Sequence, residues 1–266
     1  MKLHPVSGKR SIRLGDADAR WHGAGTHAKS LEKATEKQVA RISELQRVLY
    51  ADARFAVLII LQGRDASGKD GTIRRVFSAV NPQGCTVTSF KVPTDIERRH
   101  DFLWRVHQAV PARGMIGIFN RSQYEDILLP TVHDEMGKKA VAERCEAVND
   151  FEHMLDANGV VILKFMLHIS RDEQRERLQA RVDDPTKHWK FQEGDLEDRT
   201  RWDAFTKAYR TVLARTSTDW APWYVVPADD KDVRDALISR TIADALAGLR
   251  LRYPKGDPAM KGLEIA

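Results

Sequence analysis

The sequence predicts an α/β three-layer sandwich: a five-stranded parallel sheet, helices on both faces, a phosphate-binding loop (P-loop) after the first strand, and a helical lid. Three observations predict it. Apolar strands alternate with amphipathic helices, the pattern of a parallel sheet covered on both sides. A glycine-rich turn, Gly63-Arg64-Asp65-Ala66-Ser67-Gly68-Lys69-Asp70, joins the apolar run Phe55 to Leu61 to a helix opening at Gly71-Thr72-Ile73. A stretch very rich in charge of both signs, residues 171–220, is inserted between the last two strands. With no internal repeat or low-complexity segment, residues 1–266 read as a single domain.

The elements follow in order. Residues 1–28 carry scattered charge without periodicity and read as an irregular arm. Over residues 30–50, Leu31, Val39, Ile42, Leu45, Val48 and Leu49 recur at helical spacing, with Ser30 as the expected N-cap. After the glycine-rich turn and its helix, Asn81-Pro82-Gln83-Gly84 is a turn, and Cys85 to Val92 a strand that Pro93 stops. Glu97 to Val110 reads as a helix with Phe102, Leu103, Val106 and Val110 inward, closed by Pro111 and the Arg113-Gly114 turn. Met115 to Phe119 is the next buried strand, and Lys138 to Asn158 a long helix ending at Gly159. Val160 to Ile169 is a strand, Ser170 the N-cap of a helix starting near Asp172, Trp223 to Val226 the last strand, and Lys231 to Leu249 the last helix.

A composition of 42% hydrophobic and 30% charged residues is that of a globular chain able to bury a sizeable core. The longest apolar run, Val160 to Ile169, is broken by Lys164 and His168 and is too short to cross a bilayer, so no membrane partner is expected. Met-Lys-Leu-His-Pro at the start carries no apolar targeting segment, and the expected location is the cytoplasm. Cys85 and Cys145 lack metal or redox spacing and read as buried or incidental thiols. A net charge of +5 suits phosphate polymers or nucleic acid without choosing between them. No clustered aromatic and basic surface is visible, so nucleic acid is not an expected partner.

In the loop, Gly63, Arg64, Ala66, Ser67, Gly68, Lys69, Asp70 and Gly71 are the candidate phosphate-binding residues. The glycines let backbone N–H groups turn inward, the helix N-terminus adds a positive dipole end, and Lys69 reaches phosphate oxygens. Position eight carries Asp70, where a magnesium-binding hydroxyl is expected, and Asp65 puts a second carboxylate inside the loop. Two carboxylates oppose a phosphate unless a divalent cation sits between, so the loop implies Mg2+.

A second candidate site follows the third strand: Phe119-Asn120-Arg121-Ser122-Gln123-Tyr124-Glu125-Asp126. Ligands bind at the carboxyl ends of strands in open α/β sheets, so these polar residues should face the loop. Arg121 can hold a phosphate bidentately and stabilise transferring charge, while Glu125 and Asp126 can supply a metal ligand or hold its water. Structural readings stand beside these: Asn120 could bond a turn, Tyr124 could be core, and Asp126 could cap a helix. Most charges of residues 171–220 belong to a solvated, salt-bridged face.

At this point the chain resembles the polyphosphate kinase family 2 proteins. The matching stretches are Gln62 to Gly71 with both unusual aspartates, Phe119-Asn120-Arg121-Ser122 with Tyr124-Glu125-Asp126, Asp184-Pro185-x-Lys187-x-Trp189-Lys190, Arg215-Thr216-Ser217-Thr218, and Ala221 to Asp229. The resemblance implies reversible, Mg2+-dependent phosphoryl transfer between inorganic polyphosphate and adenine nucleotides (ADP, AMP, ATP) by a homo-oligomer. It implies catalytic roles for Asp65, Lys69, Arg121 and the lid arginine Arg181, with Glu125 as a further catalytic carboxylate, and a metal site from Asp65 with Asn120 or Glu125 as its second residue. Some members carry Asp where this chain has Asn120; the Glu125-Asp126 pair resembles the subgroup that accepts both AMP and ADP. No phosphohistidine is required, and His168 and His188 read as structural.

A linear polyanion should run along a basic groove, for which Arg74, Arg75, Lys91, Arg98 and Arg99 are candidates. Three rival readings remain at this stage: an ATP-dependent nucleoside or nucleotide monophosphate kinase, a non-enzymatic polyanion-binding module, and a P-loop ATPase or regulator.

Overall fold

The computed structural model describes residues 1–7, 12–24, 27–260 and 262–265; residues 8–11 and 25–26 of the expected arm lie outside them. The strands are β1 (Ala56–Gln62), β2 (Cys85–Ser89), β3 (Ile116–Asn120), β4 (Val160–His168) and β5 (Trp223–Pro227). The helices in chain order are α1 (Ala28–Asp52), α2 (Lys69–Val76), α3 (Trp104–Ala109), α4 (Glu125–Val132), α5 (Lys138–Ala157), α6 (Arg171–Val182), α7 (Glu193–Thr200), α8 (Trp202–Thr216) and α9 (Lys231–Gly248).

The strands form a parallel sheet in the order β2-β3-β1-β4-β5, as the sequence leads one to expect of an α/β sandwich. Central β1 is buried throughout, with Ala56, Leu58 and Ile60 in one core and Val57, Ile59 and Leu61 in the other. Burial on both faces is why its sequence is a continuous apolar run. Helices α4, α5 and α8 cover the first face; α1, α2 and α9 cover the second. The register sets Leu61 beside Asn120 and Gln62 beside Met166, so the loop after β1 emerges between the ends of β3 and β4. From β1 the chain runs outward past β3 to β2, and from β3 it crosses to β4 on the other side. That switch point is where open α/β sheets bind ligands.

Several expectations are corrected. Helix α1 starts at Ala28 with His27 at its cap, so Ser30 lies inside the first turn. Its apolar Leu31, Ile42 and Leu49 pack with Leu237, Ile238 and Ile242 of α9, so this face is covered by the chain itself. Strand β2 stops at Ser89, opposite Asn120, because an edge strand can pair no further than its single neighbour β3. The helix expected over Glu97–Val110 is split into a short 3-10 turn, Glu97–Arg99, and α3; between them Asp101 Oδ1 accepts the Leu103 N–H at 2.9 Å and restarts the helix. The described part of the arm is irregular yet docked: Leu3, Leu14 and Ala19 are buried, and the Val6 N–H donates to Trp223 O at 2.8 Å. Gly159 (φ 85°) follows α5, and Ser170 Oγ caps α6 by accepting the Glu173 N–H at 3.3 Å, both as expected.

The largest correction concerns residues 171–220. Helices α6 and α7 and the 3-10 turn Pro185–Lys190 are mostly polar and lie over the loop, but α8 belongs to the core. Phe205, Tyr209, Val212 and Leu213, at i, i+4, i+7 and i+8, form a buried stripe against α4 and α5. Leu213 is 0% exposed, so Leu213→Ala is expected to lower unfolding free energy by about 3 kcal/mol in urea titrations; a loss near zero would return α8 to the lid.

Candidate active site

The loop is shaped by three residues with positive φ: Gly63 (151°), Ala66 (61°) and Gly68 (104°). A Cβ at Gly63 would collide with the Leu167 carbonyl of β4 and the Ser67 hydroxyl; one at Gly68 would collide with the Arg234 guanidinium. Gly63 is therefore fixed by close approach to backbone as well as by conformation, and Gly68 by its conformation. Arg234 in turn bonds Asp235 at 2.8 and 3.1 Å, and Asp235 Oδ1 accepts Thr72 Oγ1–H at 3.0 Å, tying α2 to α9.

The loop carbonyls are turned away from the mouth and held. Asp65 O accepts Gln174 Nε2 at 3.0 Å, while Ala66 O and Ser67 O accept Arg177 Nη1 at 3.0 and 3.3 Å. Gly63 O and Arg64 O accept Lys69 Nζ at 2.7 and 3.3 Å. The first intrahelical bond of α2 runs from Thr72 N–H to Gly68 O at 2.9 Å. The amides of Gly68, Lys69, Asp70 and Gly71 therefore have no helical acceptor, the arrangement in which a helix start can receive an anion. The amide of Ser67 is spent inside the loop, on Arg64 O at 3.1 Å.

Arg64 departs from the expected role. Its side chain leaves the mouth for α8, where Nη2 donates to Trp202 O at 3.0 Å and Thr206 Oγ1 at 2.6 Å and the guanidinium lies 3.9 Å over the Trp202 ring. Burial pushes its pKa down to about 10. It anchors the loop to the core rather than binding phosphate through its side chain.

The second motif meets the loop as expected. Arg121 adopts a left-handed conformation (φ 62°), and its N–H donates to Leu61 O at 3.0 Å. Its Nη2 donates to Asp65 Oδ1 at 2.6 Å, and Nη1 lies 3.9 Å from Glu125 Oε2. Gln62 Nε2 donates to the other Glu125 oxygen at 3.0 Å. Burial opposes ionisation of Asp65, yet the charges of Lys69 and Arg121 outweigh it and hold the carboxyl below its usual range. Burial, then the nearby Arg121 charge, draws the Lys69 ammonium below its ordinary pKa. Asn120 joins Asp70 instead of Asp65 or Glu125, through Nδ2 to Oδ1 at 2.7 Å. Asp126 turns aside to Arg105 at 3.2 Å.

Loop and lid enclose a cleft of about 550 Å³. Its basic walls include Arg74, Lys91, Arg181, Lys187, Lys190 and Lys231. Arg181 is held there by Lys190 O at 3.3 Å and Asp195 Oδ2 at 3.4 Å. Of the groove candidates, Arg74 and Lys91 line the cleft. Arg75 instead faces Glu32 and Glu36 of α1 at 3.8 and 3.9 Å, Arg98 turns to Asp95 and the Pro93 carbonyl, and Arg99 is not in the wall. Sequence reasoning missed Gln174 and Arg177. Their spacing to Arg181, at i, i+3 and i+7, was the available signal, since it sets all three on one face of α6. Nothing local marked Arg234 or Lys231.

The donors around the mouth are of the right kind for magnesium: the Asp65, Asp70 and Glu125 carboxylates and the Asn120 amide are hard oxygen donors. Among the described residues no three His, Cys, Asp or Glu side chains form a closed metal cluster. One or two carboxylates completed by water and phosphate oxygens is the usual way magnesium is held, so the residues fit a cation that arrives with its phosphate.

The sign of the Asp65 shift gives a test. A depressed carboxyl pKa adds stability that is complete above the unfolded value of about 3.9 and is lost as pH falls through the lower folded value. The stability difference between the protein and Asp65→Asn, measured by urea unfolding, is expected to hold steady from about pH 5 to 7 and to shrink only below about pH 4. A difference that fades near neutrality would mean that Asp65 is not held by Lys69 and Arg121.

Comparison with known proteins agrees with this geometry. Residues 26–252 match the family described as Polyphosphate kinase 2 (PPK2). The chain is 49% identical over 225 residues to the AMP/ADP-polyphosphate phosphotransferase of Meiothermus ruber, spanning 85% of this chain and 84% of that protein. It is 47% identical over 236 residues to the ADP-polyphosphate phosphotransferase of Rhodopseudomonas palustris, spanning 84% of this chain and 82% of that protein. The crystal structure of polyphosphate kinase 2 from Arthrobacter aurescens TC1 superposes with a TM-score of 0.87 at 42% identity, covering 96% of this chain and 89% of that one. The chain belongs to the polyphosphate kinase 2 family.

Proposed function

We propose that this chain is a polyphosphate:nucleotide phosphotransferase that moves a phosphoryl group reversibly between inorganic polyphosphate and adenine nucleotides, converting ADP to ATP and also AMP to ADP. One observation carries the reading. The free amides at the start of α2, with Lys69 and Arg121, open onto a cleft whose basic walls continue through Arg74, Lys91, Lys187, Lys190 and Lys231. A nucleotide's own phosphates need only the loop; a repeating polyanion uses the whole wall. The similar protein from Meiothermus ruber is named an AMP/ADP-polyphosphate phosphotransferase, and that from Rhodopseudomonas palustris an ADP-polyphosphate phosphotransferase.

In the forward direction, a terminal phosphate oxygen of the acceptor nucleotide attacks the end phosphorus of polyphosphate in line. The bond from that phosphorus to its bridging oxygen breaks, leaving a chain one unit shorter. Such transfer asks for placement and neutralised charge more than covalent chemistry. The Gly68 to Gly71 amides fix the non-bridging oxygens. Lys69 exchanges its carbonyl contacts for the transferring group, and Arg121, held between Asp65 and Glu125, supplies positive charge. Arg181, released from Asp195, completes the enclosure from the lid and helps to exclude water. Asp65 and Glu125, with the Asn120 carbonyl oxygen, would hold Mg2+, which would supply neutralising charge to the phosphates.

A protein nucleophile has no role in this mechanism. Burial pushes the Cys85 and Cys145 thiols up to about 11, and burial holds His168 neutral against Gly15 O at 2.8 Å. Residence in a reducing cytoplasm suits the two free thiols. Assembly as a homo-oligomer is part of the same proposal and rests on the family resemblance.

With Mg2+ and long-chain polyphosphate, ATP should form from ADP and ADP from AMP, and Lys69→Ala should cut turnover by about 10²- to 10³-fold. Product from AMP and ATP but none with polyphosphate would make the chain a monophosphate kinase instead. The KM for long polyphosphate should also rise with ionic strength as the Debye length shrinks from ~10 Å at 0.1 M salt; a flat response would contradict the basic wall.

A further inference from the structure

Beneath the second motif lies a charge pair that the reaction does not touch. Lys164 of β4 and Glu152 of α5 are both fully buried. Lys164 Nζ donates to Glu152 Oε2 at 2.5 Å, Thr216 O at 2.6 Å and Tyr124 Oη at 2.8 Å. Glu152 Oε1 accepts Tyr124 Oη–H at 2.7 Å and Gln123 Nε2–H at 3.1 Å. All three ammonium protons and both carboxylate oxygens are thus bonded, while burial pushes the Glu152 carboxyl up and the Lys164 ammonium down from their ordinary pKa values. A buried ion pair is a poor source of stability beside apolar side chains of the same volume, because desolvation offsets the attraction.

The bonds lead to the active site. Gln123 and Tyr124 are buried and lie in the short segment joining Arg121 to Glu125. Arg121 sits at φ 62°, a conformation that a non-glycine residue keeps when its neighbours are fixed. The Tyr124 ring also stands edge-on to Trp223 at 4.8 Å, and Trp223 Nε1 donates to Thr216 Oγ1 at 2.9 Å. The turn is therefore held from below by α5, β4, the end of α8 and β5. From above it is held through Asp65, Gln62 and the Leu61 carbonyl, which accepts the Arg121 N–H.

We propose that Glu152 and Lys164 are positioning residues for phosphoryl transfer: through Gln123 and Tyr124 they set the Arg121–Glu125 turn so that the Arg121 guanidinium meets the loop mouth. This rests on the reading that Arg121 serves the transferring group. Without the grip from below, Arg121 still folds near the mouth but samples positions from which it misses the transition state.

The test uses Tyr124→Phe, which deletes one oxygen, and Gln123→Met, which deletes one amide; neither leaves a charge unpaired. Each is made alone and with Arg121→Ala, and kcat, KM and melting temperature are measured with Mg2+, ADP and polyphosphate. Each single variant is expected to melt about 2–5 °C lower and to lose about 10- to 100-fold in kcat, with KM for polyphosphate changed by less than about threefold. In the Arg121→Ala background the second change should cost nothing further, because the residue it positions is gone. A folded variant with kcat within about twofold of the parent, or a loss that adds in full to that of Arg121→Ala, would reduce the pair to a structural one and overturn the proposal. Full turnover by Arg121→Ala alone would overturn the reading of Arg121 on which the proposal depends, and the proposal with it.

Discussion

The active site depends on where the loop carbonyls go. A backbone can present several N–H groups to one anion only if the carbonyls between them point elsewhere and are bonded there. Arg177 holds the two carbonyls just before the start of α2. One guanidinium bonds Ala66 O and Ser67 O of the loop and, through Nη2, Ala228 O and Asp229 O after β5 at 2.8 and 2.7 Å. Glu173, at 2.7 Å, holds the same side chain. Helix α6 is thereby part of the loop's foundation. Its own start is fixed by Asp229 Oδ1 on the Ser170 N–H at 2.8 Å and by Asp16 Oδ1 on the Arg171 N–H at 3.1 Å. Beyond α6, Lys187, Trp189 and Lys190 are exposed.

The charges at the mouth are preorganised in pairs. Lys69 rests on two carbonyls, Arg121 on Asp65, Arg181 on Asp195 and Asn120 on Asp70. A phosphate entering this site exchanges one set of protein partners for another, so the cations need not be drawn out of bulk water at the moment of reaction. The acidic partners hold the cations in place: Asp65 pairs with Arg121 and Asp195 with Arg181.

What the sequence revealed was local, and what it concealed was tertiary. Strand β1, the glycine-rich turn and α2 are consecutive, and their apolar run, motif spacing and helix start could be read without knowing their neighbours. That the motif after β3 faces the loop followed from the rule that ligands bind at the carboxyl ends of strands; its specific pairing of Arg121 with Asp65 did not. Helix α8 was hidden because the charge of residues 171–200 dominates the segment, although the Phe205, Tyr209, Val212 and Leu213 stripe was present in the letters. Arg64 sits inside the motif but points away from its mouth, a direction set by Trp202 and Thr206 far along the chain. Arg234 reaches Gly68 from the last helix, and no local pattern distinguishes it from a solvated arginine. The buried Lys164 looked like an interruption of an apolar strand; only its contacts with Glu152 and Tyr124 explain it.

The central claim is that the backbone amides at the start of α2 receive the phosphate while Arg177 holds the carbonyls behind them. Titrating a short polyphosphate into 15N-labelled protein, and following the amide resonances, tests it most directly. The largest shifts should fall on Gly68, Lys69, Asp70 and Gly71, and they should weaken sharply in Arg177→Gln with the fold retained. Shifts confined to the exposed lysines of the lid, with the amides of residues 68–71 unmoved, would contradict the account.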